Sequence, residues 1–444
     1  MNIKSPYQKI ISIHLIAWLY ATVAINAQVT TPLHNKILDF KYEQAAGVPA
    51  ANEVAWDDAF INPMFWNKLP VGAWRIESKT ELAVKYVSEE KRDFIGGPAR
   101  LVRVRTDGKG NTQSIEVMWC DYSYSFEFFR YPSLDGLTAK QRRAQLEIYE
   151  ETKKKWEEDV KVFETAIQES EKYLTQTLEK RFGKPEKNKI GKDKDFVLDV
   201  LDYATPHGTT IRLYPTKDRM IIATIHKTTE LEARKQLILT NADEAKSRGD
   251  EAIKNVVKLP NGDVTLKNIP MHEQGPRGAC VWASGAMVLE YWGSPIPVEL
   301  LLLRNGDFNG TTKAGAQMVG AMKDSKLKMS EASTRMASIM AEIDKGRPLQ
   351  VSRTIREDRN ILHREWRDKA AADPNFEIPK ESRKDQKEKW PGERDMGHAS
   401  LITGYNKEKK VILLTESWGE GNRNNRISWE EFEATCREIQ TFTP

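Results

Sequence analysis

Gln274-Gly275-Pro276-Arg277-Gly278-Ala279-Cys280-Val281-Trp282-Ala283-Ser284 is the stretch on which the reading of this chain turns. Glycine and proline make its first half a loop. Cys280 then opens an apolar segment that reads as a helix to Trp292, stopped by Gly293. A cysteine in the first turn of a helix feels the positive end of the helix dipole, which lowers its pKa and favours thiolate. Gln274, six residues upstream, can return across the loop and donate its side-chain amide to an oxyanion, with the Cys280 N–H as second donor. Taken alone, Cys280 also reads as a small buried apolar residue, the commoner fate of a cysteine. A nucleophile needs a base, and the base has to come from elsewhere in the chain.

Gly397-His398-Ala399-Ser400-Leu401-Ile402-Thr403-Gly404-Tyr405 reads as a strand, Asn406–Lys410 as a turn, and Val411 to Gly419 as the returning strand. A symmetric hairpin with Tyr405 opposite Val411 places His398 and Glu416 on one face as diagonal neighbours, about 7–8 Å apart at Cα. In that arrangement Glu416 accepts the Nδ1–H of His398 and leaves Nε2 to take the thiol proton. A lone strand histidine also has a purely structural reading; the company of Cys280 and Gln274 gives this one a chemical reading.

These residues resemble the papain-like cysteine peptidases, and among them are most similar to the bacteriocin-processing peptidases that cut double-glycine leaders and to their orphan bacterial relatives. The resemblance runs from about Ile269 to Phe432. It takes in the Gln274-to-Cys280 spacing, Tyr291-Trp292-Gly293, Gly310-Thr311-Thr312, Lys345-Gly346-Arg347-Pro348-Leu349, the histidine strand, and Ile427-Ser428-Trp429-Glu430-Glu431-Phe432. It implies Cys280 as nucleophile, His398 as general base and then acid, and Gln274 as oxyanion donor. It also implies an α+β, papain-like C-terminal domain in which the helix bearing the cysteine packs on antiparallel sheet. Where the family carries Asn or Asp, this chain has Glu416 in Glu416-Ser417-Trp418-Gly419, and the extra methylene asks for a different hairpin offset. The implied activity is hydrolysis of peptide bonds in a peptide or protein substrate through a thioester, with no metal and no organic cofactor. Gly275-Pro276-Arg277-Gly278 lacks the Gly-Lys-Thr/Ser ending of a phosphate loop. Two other readings stay open: an acyltransferase or amidase using the same Cys–His pair, and an impaired papain-like module that binds peptides without cutting them.

Upstream, Leu101–Arg105 and Ile115–Trp119 alternate across a turn at Thr106–Asn111 and read as a hairpin. Thr138 and Gln141 form a capping-box signature. A long helix follows to Arg181, with Leu146, Tyr149, Trp156, Val160, Phe163, Ile167, Leu174 and Leu178 at helical spacing, before Gly183 and Pro185. Lys153 and Ser170 break the heptad, so the helix reads as packed on a sheet rather than as a coiled coil. Three strand-like runs, Phe196–Tyr203, Thr209–Tyr214 and Met220–His226, complete an α+β N-terminal domain of one long helix and antiparallel strands. His207 and His226 have no ligand partners at metal spacing and read as turn or surface residues. Thr229 to Asn255 reads as a helical connector.

Lys4 and Lys9 precede a mostly apolar run, Ile10 to Ala24, followed by Ala24-Ile25-Asn26-Ala27, the pattern of a secretory signal peptide; an amphipathic anchor is the alternative. The expected organisation is therefore a signal peptide over 1–27, an accessory domain over 28–255 and a peptidase domain over 256–444, in an exported periplasmic or extracellular protein. Ser352 to Met396 is densely charged and contains Trp366 and Trp390. It reads either as a lid beside the cleft or as a solvated helical excursion pinned by the tryptophans. His363 within it has nothing in sequence to fix its orientation.

Composition supports the exclusions. The 444 residues carry 68 Lys plus Arg against 64 Asp plus Glu, a formal charge of +4, which argues against a nucleic-acid binder. No internal stretch is apolar enough for a membrane span after signal cleavage. Three cysteines are too few for a disulfide scaffold or a cysteine-built zinc site. Cys120 and Cys436 read as two unpaired thiols or, in an oxidising compartment, as a bridge between the domains.

Overall fold

The structure, a computed structural model, describes Phe60 and residues 73–444, apart from 90–91, 95–96, 122–133, 135–136, 195, 207, 216–219, 230–241, 276–277, 304–313 and 393–395. The signal-peptide segment, His207 and Gly310-Thr311-Thr312 lie outside the described residues, as does much of the connector. Among the described residues no helix is long and apolar enough to cross a membrane.

Helix and antiparallel sheet make up the chain. The first large sheet takes β1 (Arg75–Lys79), β2 (Ala83–Ser88), β5 (Leu101–Asp107), β6 (Thr112–Asp121), β7 (Glu186–Ile190), β8 (Leu198–Ala204), β9 (Thr209–Tyr214) and β10 (Met220–Lys227), in the order β1-β2-β5-β6-β10-β9-β8-β7. A small separate hairpin, β3 (Arg92–Phe94) and β4 (Gly97–Ala99), interrupts the sequence order. The β5–β6 turn closes on Asp107, whose Oδ1 accepts from the N–H groups of Lys109 and Asn111, each at 2.8 Å, while Gly110 takes a positive φ of 85°.

Helix α1 (Ala139–Phe182) starts on the expected capping box: Thr138 accepts from the Gln141 N–H, and the Gln141 side chain reaches back to the Thr138 N–H. Its fully buried side chains, Phe163, Ala166, Ile167, Ser170, Leu174 and Leu178, all belong to its C-terminal part, which packs on β8 and β10. Leu146 and Tyr149 stay half-exposed in the turns before that contact, so the helical spacing extends further than the packing.

The second large sheet contains β11 (Val256–Lys258), β12 (Val264–Leu266), β13 (Lys328–Glu331), β14 (Leu349–Ile355), β15 (Met396–Asn406), β16 (Val411–Thr415), β17 (Asn425–Ser428) and β18 (Cys436–Thr443). Its main order is β11-β12-β15-β14-β18-β13, with β16 on β15 and β17 on β16. Helix α3 (Cys280–Tyr291), the third long one after α1 and α2 (Ala242–Glu251), is buried along its length from Trp282 to Leu289 and packs on β15. Most buried apolar side chains of both sheets belong to one contiguous core, and Val87, Leu101 and Met118 form a small second cluster on the first sheet.

The densely charged stretch after β14 forms two helices, Glu357–Ala372 and Arg383–Lys389. The first is docked on β17 through buried Arg359, His363, Trp366 and Ala370, and Trp390 is buried at the exit. Arg359 pairs with buried Glu431, and His363 Nε2 lies 3.2 Å from the same carboxylate. This corrects the reading of His363: its orientation is fixed, by a carboxylate and by the Trp366 ring 5.6 Å away, and its partner is Glu431.

Candidate active site

Cys280 is the first residue of α3. The preceding Ala279 leaves the helical conformation at φ −98° and provides no side-chain cap. The first-turn N–H groups therefore have no capping side chain, and they add their partial positive charge at the cysteine. The Cys280 sulfur hydrogen-bonds to the His398 ring and accepts from the backbone N–H groups of Ala399 and Val281.

His398 stands near the start of β15, directly opposite Arg353 on β14. Its Nε2 lies 2.8 Å from Glu416 Oε2, and the ring stacks on Trp418 with centroids 4.5 Å apart and planes 21° from parallel. Two details differ from the sequence reading. Nε2, rather than Nδ1, faces Glu416, which leaves Nδ1 for the thiol. The hairpin also closes one residue out from the expected register, with Tyr405 opposite Ile412 and Asn406 opposite Val411. A β-bulge between Ile402 and Gly404 then shifts the pairing, so that Ile402 faces Leu414 and Leu401 faces Thr415. The extra residue is buried Thr403, whose hydroxyl is 2.9 Å from both Thr415 Oγ1 and Asn424 Oδ1. Beyond the bulge the frame is the expected one, and His398 and Glu416 share a face.

Glu416 is 1% exposed. Its Oε1 accepts from Arg353 Nη2 at 2.8 Å, and its Oε2 accepts from Ser400 Oγ at 2.7 Å as well as meeting His398. Arg353, itself 2% exposed, also donates Nε–H to Ser400 Oγ at 3.1 Å. Burial pushes the Glu416 carboxyl up, but the Arg353 charge, the His398 ring and the Ser400 hydroxyl outweigh it and hold the group at about 2. For His398, burial works against protonation, and the hydrogen bonds to Cys280 and Glu416 together with their charges carry the ring up to about 9. For Cys280, burial again opposes ionisation, and the bond to His398, its charge and the two backbone donors bring the thiol below its ordinary value. The three shifts act in one sense: the carboxylate stays ionised, the ring holds its proton more firmly and the thiol holds its proton less firmly, which favours a thiolate–imidazolium pair.

Gln274 is drawn to this group by two bonds to one residue: its N–H donates to the Ser417 carbonyl at 2.9 Å, and its Oε1 accepts from Ser417 Oγ at 2.7 Å. With the side-chain oxygen engaged, the amide orientation is set and its N–H groups point away from Ser417. Gly419 takes φ 98°, and a Cβ there would come within 2.8 Å of Glu273 Oε1, so the turn behind Trp418 fits closely against the residue before Gln274.

Sequence reasoning missed Arg353, Ser400, Ser417 and Trp418. Ser400 was open to it, lying two residues from His398 on the same strand face. Arg353 comes from a separate strand, and only the sheet order reveals it. His226, opposite Thr210 on β9, belongs to the first sheet and takes no part. Cys120 is buried, Cys436 half-buried, and neither is joined in a disulfide; burial pushes the Cys436 thiol up to about 11 despite nearby Arg353. Among the described residues no group of three or more His, Cys, Asp or Glu side chains is arranged to hold a metal ion.

Residues 266–441 match the model of the Peptidase_C39 like family. No curated protein matches the chain. Among solved structures, xylellain, a cysteine protease from Xylella fastidiosa, aligns at 12% identity with a TM-score of 0.28, covering 44% of this chain and 88% of its own. The stretch that holds Gln274, Cys280, His398 and Glu416 is thus the stretch that is similar to the C39-like cysteine peptidases.

Proposed function

We propose that the chain is an exported cysteine peptidase whose nucleophile is Cys280, whose acid–base group is His398, whose orienting carboxylate is Glu416 and whose oxyanion donor is Gln274. The observation that carries this reading is the continuous line from the Cys280 sulfur through the His398 ring to a buried, ionised Glu416. In the first half-reaction the thiolate attacks the scissile carbonyl carbon. The carbonyl oxygen becomes an oxyanion held by the Gln274 amide and the Cys280 N–H. The tetrahedral species collapses as the C–N bond breaks, and the His398 imidazolium gives its proton to the leaving amine. A thioester remains, with a neutral imidazole beside it. In the second half that imidazole removes a proton from water, hydroxide adds to the thioester, and the acid leaves as thiolate and imidazolium are restored. Throughout, Glu416 stays anionic and holds the ring through Nε2. The papain-like arrangement of cysteine helix on histidine-bearing sheet supports this reading, as does the family match.

Export rests on Lys4, Lys9 and the apolar run ending at Ala27. It predicts a mature protein beginning at Gln28, to be read by N-terminal sequencing of protein recovered outside the cytoplasm.

The deciding experiment is labelling by a thiol-directed peptide electrophile at neutral pH. Labelling of the wild type that is lost in Cys280→Ala and His398→Ala is the expected result. An unlabelled wild type points instead to a peptide-binding module.

A further inference from the structure

The segment that delivers Gln274 is held by the other sheet. Met271 donates its N–H to Ser78 Oγ on β1 at 2.8 Å, and its carbonyl accepts from Lys85 Nζ on β2. Arg75 grips Glu273 with both terminal nitrogens, at 2.7 and 2.6 Å. The next residue is Gln274. The far wall of the site is tied to β1 as well: the Lys79 N–H donates to Glu420 Oε1 at 2.7 Å, just past Trp418 and Gly419.

Lys85 does more than hold Met271. The same ammonium pairs at 3.1 Å with Glu290, which lies in the last turn of the helix that Cys280 begins. That carboxylate is buried and also meets His272 Nε2 at 2.7 Å and Arg105 Nε at 3.1 Å. One buried side chain from β2 therefore joins the helix carrying the nucleophile to the segment carrying the oxyanion donor. We infer that Lys85, seconded by Arg75, is a positioning residue for the peptidase reaction, and that the first sheet is a working part of the active site through it. The inference rests on the cysteine-peptidase reading above.

The physical reason is the tolerance of the chemistry. An oxyanion donor is effective only within hydrogen-bond range of where the charge develops, and a misplacement of about 1 Å can cost on the order of 10²-fold in rate. The Cys280–His398 pair makes no contact with β1 or β2 in its own bonds, so thiolate formation does not depend on Lys85. Loss of Lys85 should thus separate two properties that a general loss of folding would reduce together.

The test uses the full mature chain as wild type, Lys85→Met, Lys85→Arg and Arg75→Met. Each is assayed for kcat and KM on a peptide substrate, for the rate of alkylation by iodoacetamide, and for thermal unfolding. The expected result for Lys85→Met is a fall in kcat of about 10- to 100-fold, with KM and alkylation rate within about twofold of wild type. Lys85→Arg should recover part of the loss, and Arg75→Met, an exposed position that should not compromise folding, should show a smaller fall of the same kind. Unchanged kcat in Lys85→Met, whatever its melting temperature, overturns the inference. If Lys85→Met does not fold, unchanged kcat in Arg75→Met overturns it. A parallel fall of kcat and alkylation rate in folded protein also overturns it, since that marks damage to the Cys–His pair. A wild type that neither turns over peptide nor alkylates at Cys280 refutes the peptidase reading itself.

Discussion

Arg353 and Glu416 form a buried ion pair at 2.8 Å, with both side chains 2% exposed and Ser400 bonded to each. The arginine makes a glutamate workable in this position. A carboxylate in so dry a place would otherwise take up a proton and cease to support an imidazolium. Arg353→Met should leave an uncompensated buried charge and cost roughly 3–5 kcal/mol of stability. The double variant Arg353→Met/Glu416→Gln should regain much of that stability without regaining activity. Urea unfolding of the two single variants and the double variant checks the coupling.

Glu416→Gln replaces the carboxylate by a group that can still accept from Nε2 through its amide oxygen but brings no charge. The ring should remain oriented and lose much of the support for its proton. A fall in kcat on the order of 10²-fold is expected, together with a downward shift of the alkaline limb of the pH–rate profile. An unchanged limb in steady-state kinetics would mean that the charge of Glu416 is not felt at His398.

The pH dependence follows from opposite shifts in the two partners. His398, raised to about 9, keeps its proton through neutral pH, and the downward shift of Cys280 favours the thiolate beside it. Turnover should hold a plateau there and decline as pH rises through about 9, when the ring can no longer protonate the leaving amine. Stability obeys the same signs. The contribution of His398, raised in the folded state, is complete below the unfolded value of about 6.5 and is lost as pH climbs toward 9. The contribution of Glu416, lowered to about 2, is complete above the ordinary carboxylate range and is lost as pH falls toward 2. Initial rates through the alkaline range and thermal melts from about pH 2 to about pH 10 check both.

Residues 256–444 expressed alone should be less active than the mature chain, against the outcome expected of an inhibitory propeptide. Removing the first sheet strips Lys85 and Arg105 from Glu290, and Arg103 from Glu299, which it meets at 2.9 Å. Each carboxylate is then left at an apolar surface without its cation. A gain in activity of the fragment on a peptide substrate would identify the first sheet as an inhibitor.

The local signals proved legible in the sequence. The capping box at Thr138, the apolar runs of β8 to β10 and the glycine-terminated helix from Cys280 all depend on neighbours within a few residues, and the structure has them within a residue or two. What stayed hidden was long-range. Arg353 reaches Glu416 only because β14 lies beside β15, and alternation along one strand does not reveal which strand lies next to it. The charged stretch after β14 resembles a solvated face until Glu431, far along the chain, is known to wait for Arg359. The clasp of β1 and β2 on Met271 and Glu273 joins residues nearly two hundred positions apart and leaves no mark in either segment.

The Thr403 bulge sets the parity of this hairpin. With the turn closing as it does, an unbulged pairing would carry His398 and Glu416 to opposite faces, because side chains alternate with a period of two. A single residue inserted within β15 between Thr403 and His398, or within β16 before Glu416, would reverse that parity unless a second bulge matched it, whereas an insertion at the Lys407–Lys410 turn lengthens the loop and leaves the pairing as it is. Length can therefore drift in the turn but not, one residue at a time, in the two paired strands.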